Sequence, residues 1–151
     1  MAESLKARIL EDVKDAMRAR DKARLGTLRM VTAAIKQQEV DRRASPLDDS
    51  AVVAVLEKML KQRRESVRQY EAAGREDLAS VERKEMAVIE QYMPRALDAA
   101  EVAAIIEAAI DDAGAATMKD MGRVMGLLKP RVQGGADMGA VSASVRARLS
   151  G

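Results

Sequence analysis

The sequence predicts an all-α protein, with an N-terminal four-helix domain followed by a small three-helix C-terminal domain. Three observations carry this. Apolar residues recur at spacings of three and four almost from end to end. The apolar residues are Ala, Val, Leu, Ile and Met, with no Phe or Trp and only Tyr70 and Tyr92 as aromatics, a composition that favours helices. No stretch combines β-branched alternation with the turn signals of a sheet.

Leu5, Ile9, Val13, Ala16 and Met17 mark the inward side of a first helix over about residues 3–20. Asp21 then starts a second helix, whose stripe of Leu25, Leu28, Val31, Thr32 and Ile35 fades near residue 40. Ser45, Pro46, Asp48 and Asp49 read as a loop closing on an N-cap. The third helix is long, lined by Val52, Val53, Leu56, Met59, Leu60, Val67 and Tyr70 and ended by Gly74. Leu78, Val81, Val88, Ile89 and Tyr92 line a fourth, which Pro94 closes.

Charge density falls at PRALDAA, which sets the domain boundary between residues 1–94 and 95–151. Asp98 with Glu101 resembles a capping box opening a fifth helix, lined by Val102, Ile105, Ile106, Ala109 and Ile110 and ended by Gly114. Thr117 and Asp120 start a sixth, with Met118, Met121, Val124, Met125 and Leu128 inward, and Pro130, Gly134 and Gly135 interrupt it. Asp137 opens the last helix, with Met138, Val141, Val145 and Leu149 inward. A unit this small buries a modest share of its surface and has a narrow margin of stability.

The chain has 151 residues, 48% of them hydrophobic, enough for a packed core. It has no His and no Cys, which removes zinc sites, catalytic triads, thiol nucleophiles and disulfides. The first residues, MAESLKARIL, lack the basic-then-apolar pattern of a secretory signal, and no apolar run reaches membrane-spanning length. The expectation by elimination is a cytoplasmic protein with no membrane, metal or cofactor partner. Net charge is only +2, but its distribution is uneven. Residues 95–116 set Arg95 against Asp98, Glu101, Glu107, Asp111 and Asp112, whereas residues 117–151 carry six Lys or Arg against Asp120 and Asp137.

Three stretches are candidates for function. In KQRRES and beyond, Lys61, Arg64, Glu65 and Arg68 fall on the polar side of the third helix, either as a solvated face of Glu–Arg pairs or as a ridge for phosphate or an acidic protein. Arg63 lies nearer the apolar stripe, in reach of a carboxylate at a helix interface. In AGRED, Gly74 ends a helix and Glu76 or Asp77 suits the start of the next, and Arg75 joins Lys61, Arg64 and Arg68 as a candidate partner-binding residue.

The third stretch, KDMGRVMGLLKPRVQGGADMG over residues 119–139, is the most distinctive. Gly122 and Gly126 each cost a helix about 1 kcal/mol relative to Ala, which suggests another backbone packed close against them. Gly134 and Gly135 precede a helix start, where they serve either a tight turn or an anion at free backbone amides. Neither GxxxxGK[ST] nor a strand followed by GxGxxG is present. Met118, Met121, Met125 and Met138 suit an adaptable core or a peptide-binding groove.

Taken together, DKARLGTLRMVTAAIKQQE, KQRRESVRQYEAAGREDLA, IEQYMP and KDMGRVMGLLKPRVQGGAD resemble the GatB/YqeY family, in order and over almost the whole chain. Its members are similar to the tail region of the GatB component of the glutamyl-tRNA/aspartyl-tRNA amidotransferase. The resemblance implies two helical domains and a role in holding tRNA. It also implies a carbon–nitrogen ligase label with glutamine as nitrogen donor, although that chemistry belongs to a catalytic domain that this chain lacks. Residue by residue, it implies tRNA-facing roles for Lys119, Arg123, Lys129 and Arg131, with Gly134 and Ala136 shaping the turn. Where the family reads KGRAD this sequence reads QGGAD, so Gln133 and Gly135 replace two basic residues.

The reading that follows is a non-catalytic adaptor engaging tRNA or a tRNA-handling enzyme. With so few aromatics to stack on bases, contact would be to phosphate and shape. The alternative is a protein-interaction module with no RNA. A stand-alone amidotransferase would need a glutamine-hydrolysing nucleophile and a phosphate loop, and neither motif is present.

Overall fold

A computed structural model of the chain describes residues 3–150, and 79% of it is helical, in seven α-helices with no strand among the described residues. The all-α expectation is met. The chain divides into two compact units, Met1–Met93 and Pro94–Gly151.

Unit 1 holds α1 (Leu5–Arg18), α2 (Lys22–Arg42), α3 (Asp49–Ala72) and α4 (Glu76–Glu90). Short polar side chains start the first three: Ser4, Asp21 and Asp48 accept from the amides of Ala7, Arg24 and Ala51. Gly74, at φ +71°, takes the left-handed turn between α3 and α4. The core joins Ile9 and Ala16 of α1, Leu28, Val31 and Ile35 of α2, Val52, Leu56, Met59 and Leu60 of α3, and Ile89 and Tyr92. Each large aliphatic side chain fully buried here is worth about 1.5–3 kcal/mol.

Three inward assignments are corrected, one of them Met118 in the second unit, which is 41% exposed. The other two, Met17 and Val81, are each 52% exposed. The buried row of α1 runs through Ile9 and Ala16, and that of α4 through Ala79 and Ile89; each exposed residue lies about 100° of helical turn from its row.

Polar contacts tie the aliphatic faces together. Lys6 pairs with Glu39 at 2.7 Å, and Glu39 also accepts from the Leu47 amide at 3.0 Å; together they hold its carboxyl below the usual range. Arg63 pairs with Glu85 at 2.9 Å, donates to the Met59 carbonyl and meets the Met30 sulfur, so the interface carboxylate anticipated for Arg63 is Glu85. The Tyr92 hydroxyl donates to Asp12 at 2.6 Å and accepts from Arg24 at 3.1 Å. The Arg8 guanidinium lies 4.9 Å from the Tyr92 ring centroid.

Unit 2 holds α5 (Ala99–Ala113), a 3₁₀ turn (Met118–Asp120), α6 (Met121–Val132) and α7 (Met138–Ser150). Asp98 caps α5 by accepting from the Glu101 amide at 2.8 Å, while the Glu101 carboxylate is gripped by both outer nitrogens of Arg95. The reciprocal capping box lies instead at Thr117 and Asp120. The core comprises Ile106 and Ala109, Val124, Leu128 and Val132, and Val141, Val145 and Leu149. Pro130, expected to interrupt the sixth helix, lies inside α6. It sits in the last turn, where its missing N–H deprives only the Gly126 carbonyl before the helix ends two residues later.

Burial and the neighbouring Asp12 carboxylate push the Tyr92 phenol up to about 12, against weaker opposition from Arg24 and Arg8. A phenol raised above its unfolded value near 10 stabilises the fold fully below pH 10, and that contribution is lost as pH climbs from about 10 to about 12. The Tyr92→Phe variant should show a shallower loss of thermal midpoint across that window. Tyrosinate absorbance in a Tyr70→Phe background should place the Tyr92 transition at its upper end.

Candidate functional site

The basic stretch of unit 2 is built on α6 and the turns at its two ends. The entering turn is fixed by Asp120, whose carboxylate accepts from the amides of Ala116 and Thr117 at 2.9 and 3.1 Å and from Arg123 at 2.6 Å. These donors, the two amides first, hold the Asp120 carboxyl below its ordinary value. Arg123 is thereby anchored by one edge while its side chain stays 60% exposed.

The other cations divide into held and free. Arg131 pairs with Asp112 on α5 at 2.8 Å, and Arg148 with Glu107 at 2.5 Å. Lys119 and Lys129 are exposed, and neither ammonium group has a hydrogen bond or ion pair among the described residues. Arg146 on α7, which the sequence does not single out, is free in the same way.

Spacings of three and four residues put Gly122, Gly126, Lys129 and Pro130 on the outer side of α6, opposite Val124, Leu128 and Val132. A Cβ added at Gly122 or Gly126 would meet nothing within 4 Å. The expected close packing of another backbone against these glycines is therefore corrected: within the described residues they leave bare helix open to solvent.

The turn into α7 is packed from within. Gly134 takes a left-handed φ of +75°. Gly135 is buried, and a Cβ there would lie 2.9 Å from Leu97 Cγ and 3.2 Å from the Arg95 carbonyl oxygen. Its own carbonyl accepts from the Leu97 amide at 2.8 Å. A larger side chain at 135 would break this fit, which gives a structural reason for Gly there. At the helix start the Asp137 carboxylate accepts from the Gly139 amide at 3.1 Å, so the chain supplies its own anion. Of the two readings of this turn, the geometry favours the conformational one. Ala136 is half-buried beside it.

In unit 1, Lys61 and Arg64 are exposed without a recorded partner, whereas Arg68 is paired with Glu65. Arg75 is held by both oxygens of Asp77 at 3.1 and 3.0 Å. Arg83, behind it, joins Glu71 and Glu76. The charges of the AGRED turn are thus met by two separate sets of ion pairs. Among the described residues no group of three or more His, Cys, Asp or Glu side chains could hold a metal ion. No helix among them is long and apolar enough to cross a membrane.

The family model described as Yqey-like protein matches residues 6–149. The chain belongs to the Yqey-like protein family. That agrees with the GatB/YqeY resemblance carried by the four motifs. Curated relatives include proteins named "Altered inheritance of mitochondria protein 41, mitochondrial". The one from Eremothecium gossypii is 40% identical over 87 residues, covering 58% of this chain and 48% of the relative. Those from Kluyveromyces lactis and Meyerozyma guilliermondii are 35% and 40% identical over 86 and 82 residues, covering 57% and 54% of this chain and 46% and 42% of the relatives. The chain therefore spans about half the length of the curated relatives it matches. These names overturn the cytoplasmic location expected by elimination, since each relative is named as a mitochondrial protein. That no described helix is long and apolar enough to cross a membrane does not distinguish cytosol from organelle interior.

The glycines of this Yqey-like chain separate by a stability measurement. Gly122→Ala and Gly126→Ala should each stabilise by about 0.5–1 kcal/mol, because Ala favours a helix and nothing obstructs its methyl. Gly135→Ala should destabilise by about 1–3 kcal/mol through overpacking on Leu97. Urea unfolding, with hydrogen exchange reporting on α6 and α7, reads both signs.

Proposed function

We propose that this Yqey-like chain is a binding module of the tRNA-handling machinery. Its C-terminal unit engages tRNA, or the enzyme that handles tRNA, along the outer side of α6. Lys119, Lys129 and the exposed edge of Arg123 supply the positive charge, Arg131 lies alongside paired to Asp112, and Gly134 and Ala136 shape the turn beyond them. The single observation that carries this reading is the bare helix at Gly122 and Gly126 beside ammonium groups that no carboxylate among the described residues neutralises.

The chemistry supports it in two ways. A phosphodiester backbone needs close approach as well as charge; the bare helix at Gly122 and Gly126 allows the first and Lys129 on the same face supplies the second. Tyr92 is buried and Tyr70 half-buried, so no exposed aromatic ring is offered for base stacking, and the contact is to phosphate and shape. The reading is one of binding rather than of glutamine-dependent carbon–nitrogen ligation: with no Cys and no His in the chain, glutamine hydrolysis would lack its usual nucleophile and proton carrier.

A second reading, a protein-interaction module without RNA, is favoured by the free cations Lys61 and Arg64 on α3. Titrating unfractionated tRNA across a salt series separates the two. About three phosphate contacts give a log–log salt slope of roughly −2 to −3. Lys119→Ala and Lys129→Ala should each weaken binding to all tRNAs alike and reduce the slope by about 1. No binding at low salt would retire the tRNA reading. Retained binding with an unchanged slope in both variants would move the interface away from α6.

A further inference from the structure

A groove of about 730 Å³ runs along unit 1 between α2 and α4, and none of the residues that line it is assigned to the tRNA reading. One wall is the row Lys22, Gly26 and Met30 of α2; the other is the row Val81, Lys84 and Val88 of α4. Single exposed apolar residues on a surface are ordinary, but here two large ones, Met30 at 40% and Val81 at 52% exposure, share one depression. Neither is used by the core of the unit.

The charges around the groove are sorted by their partners. Glu85, in its floor, is neutralised by Arg63 at 2.9 Å. Asp21 accepts from the Arg24 amide as the cap of α2, and the Arg24 guanidinium is turned to Asp12, Gln91 and Tyr92. That leaves Lys22 and Lys84, one on each wall, with no partner recorded. The groove is largely apolar along its length, with Lys22 and Lys84 as its unpaired cations, one on each rim, and the Asp21 carboxylate at the end beside Lys22.

Its dimensions suit a helix. Each wall runs for roughly 12–14 Å at 1.5 Å per residue, a little over two helical turns. A groove between two packed helices accepts the side-chain ridge of a third, and no strand edge exists among the described residues to be extended by an incoming strand.

We propose that this groove is a docking site for an amphipathic helix of a partner protein, one with apolar residues at i, i+4 and i+7 seated on Met30, Val81 and Val88 and with acidic residues flanking that ridge to meet Lys22 and Lys84. The proposal is independent of tRNA binding, because it uses the other compact unit and none of the same cations.

The test uses the full chain and two designed helical peptides with the same leucine ridge, one flanked by glutamates and one by lysines, titrated into the millimolar range by fluorescence anisotropy. The glutamate-flanked peptide should bind at least tenfold more tightly than the lysine-flanked one. Val81→Asp should weaken it at least tenfold, and the double variant Lys22→Glu, Lys84→Glu should reverse the preference between the peptides. Leu10→Asp, a substitution of equal character at an exposed site outside this groove, should change nothing. These positions are exposed, and unchanged helicity by circular dichroism would confirm that the variants fold. Failure of both peptides to bind, equal binding of the two, or an equal loss with Leu10→Asp overturns the proposal. So does a concentration-dependent dimer abolished by Val81→Asp without peptide binding, which would make a second copy the occupant. Loss of tRNA binding in Val81→Asp would equally overturn it by giving the groove to RNA, whereas the Lys119 and Lys129 variants test the tRNA reading separately.

Discussion

The Tyr92 hydroxyl is the point on which the arrangement of unit 1 turns. Helices that pack through Ala, Val, Leu and Ile alone have smooth faces, and aliphatic contacts resist sliding and rotation weakly because hydrophobic burial is non-directional. Tyr92 is the one aromatic buried in the core, and its hydroxyl, held by Asp12 from α1 and Arg24 from α2, fixes how the segment after α4 meets both helices. Removing one partner of such a group would leave a buried polar atom unsatisfied, which costs more than the hydrogen bond itself contributes. Arg63 and Glu85 do the same work between α3 and α4. No buried side-chain polar atom among the described residues lacks a partner.

That demand for internal partners decides which charges remain for a ligand. A chain that is 33% charged looks from its sequence like one continuous polar surface. In the fold, Arg68, Arg75, Arg83, Arg95, Arg131 and Arg148 are each met by a carboxylate of the chain. Among the described residues the lysines at 119 and 129 are left over, as are those at 22 and 84. Exposed pairs of this kind contribute little stability, typically below about 1 kcal/mol, so their larger effect is to cancel field.

Helix ends are legible in the sequence because their causes are local. Asp21, Asp48 and Asp98 cap helices by bonding amides three residues on, and Thr117 with Asp120 closes a capping box within four residues. What is not legible depends on distance in sequence or on the absence of atoms. Nothing local announces that Arg131 will find Asp112, nineteen positions away. Val81 fits an apolar stripe as well as its neighbours do, and only the packed row through Ala79 and Ile89 shows that it faces outward. A helical glycine reads the same whether or not something lies against it, and the space around Gly122 and Gly126 is open where that around Gly135 is filled by Leu97. The resemblance of four motifs points to the family, whereas elimination misdirects the location, because excluding secretion and membrane spans leaves cytosol and organelle interior unseparated.

The two open glycines also set a physical problem that the fold alone leaves standing. Each costs α6 about 1 kcal/mol relative to Ala, in a unit too small to have much stability to spare. Gly135, in the turn beyond α6, is explained by a contact only Gly permits, but Gly122 and Gly126 return nothing within the described residues. A local rule broken without internal compensation is characteristic of a surface shaped for something outside the chain. On the tRNA reading, the compensation is the approach of a phosphate backbone to within reach of Lys119 and Lys129. On the protein reading, it is another helix lying flat across α6. Both demand the same absence of side chains, but only the first makes the free lysines beside it part of the same design.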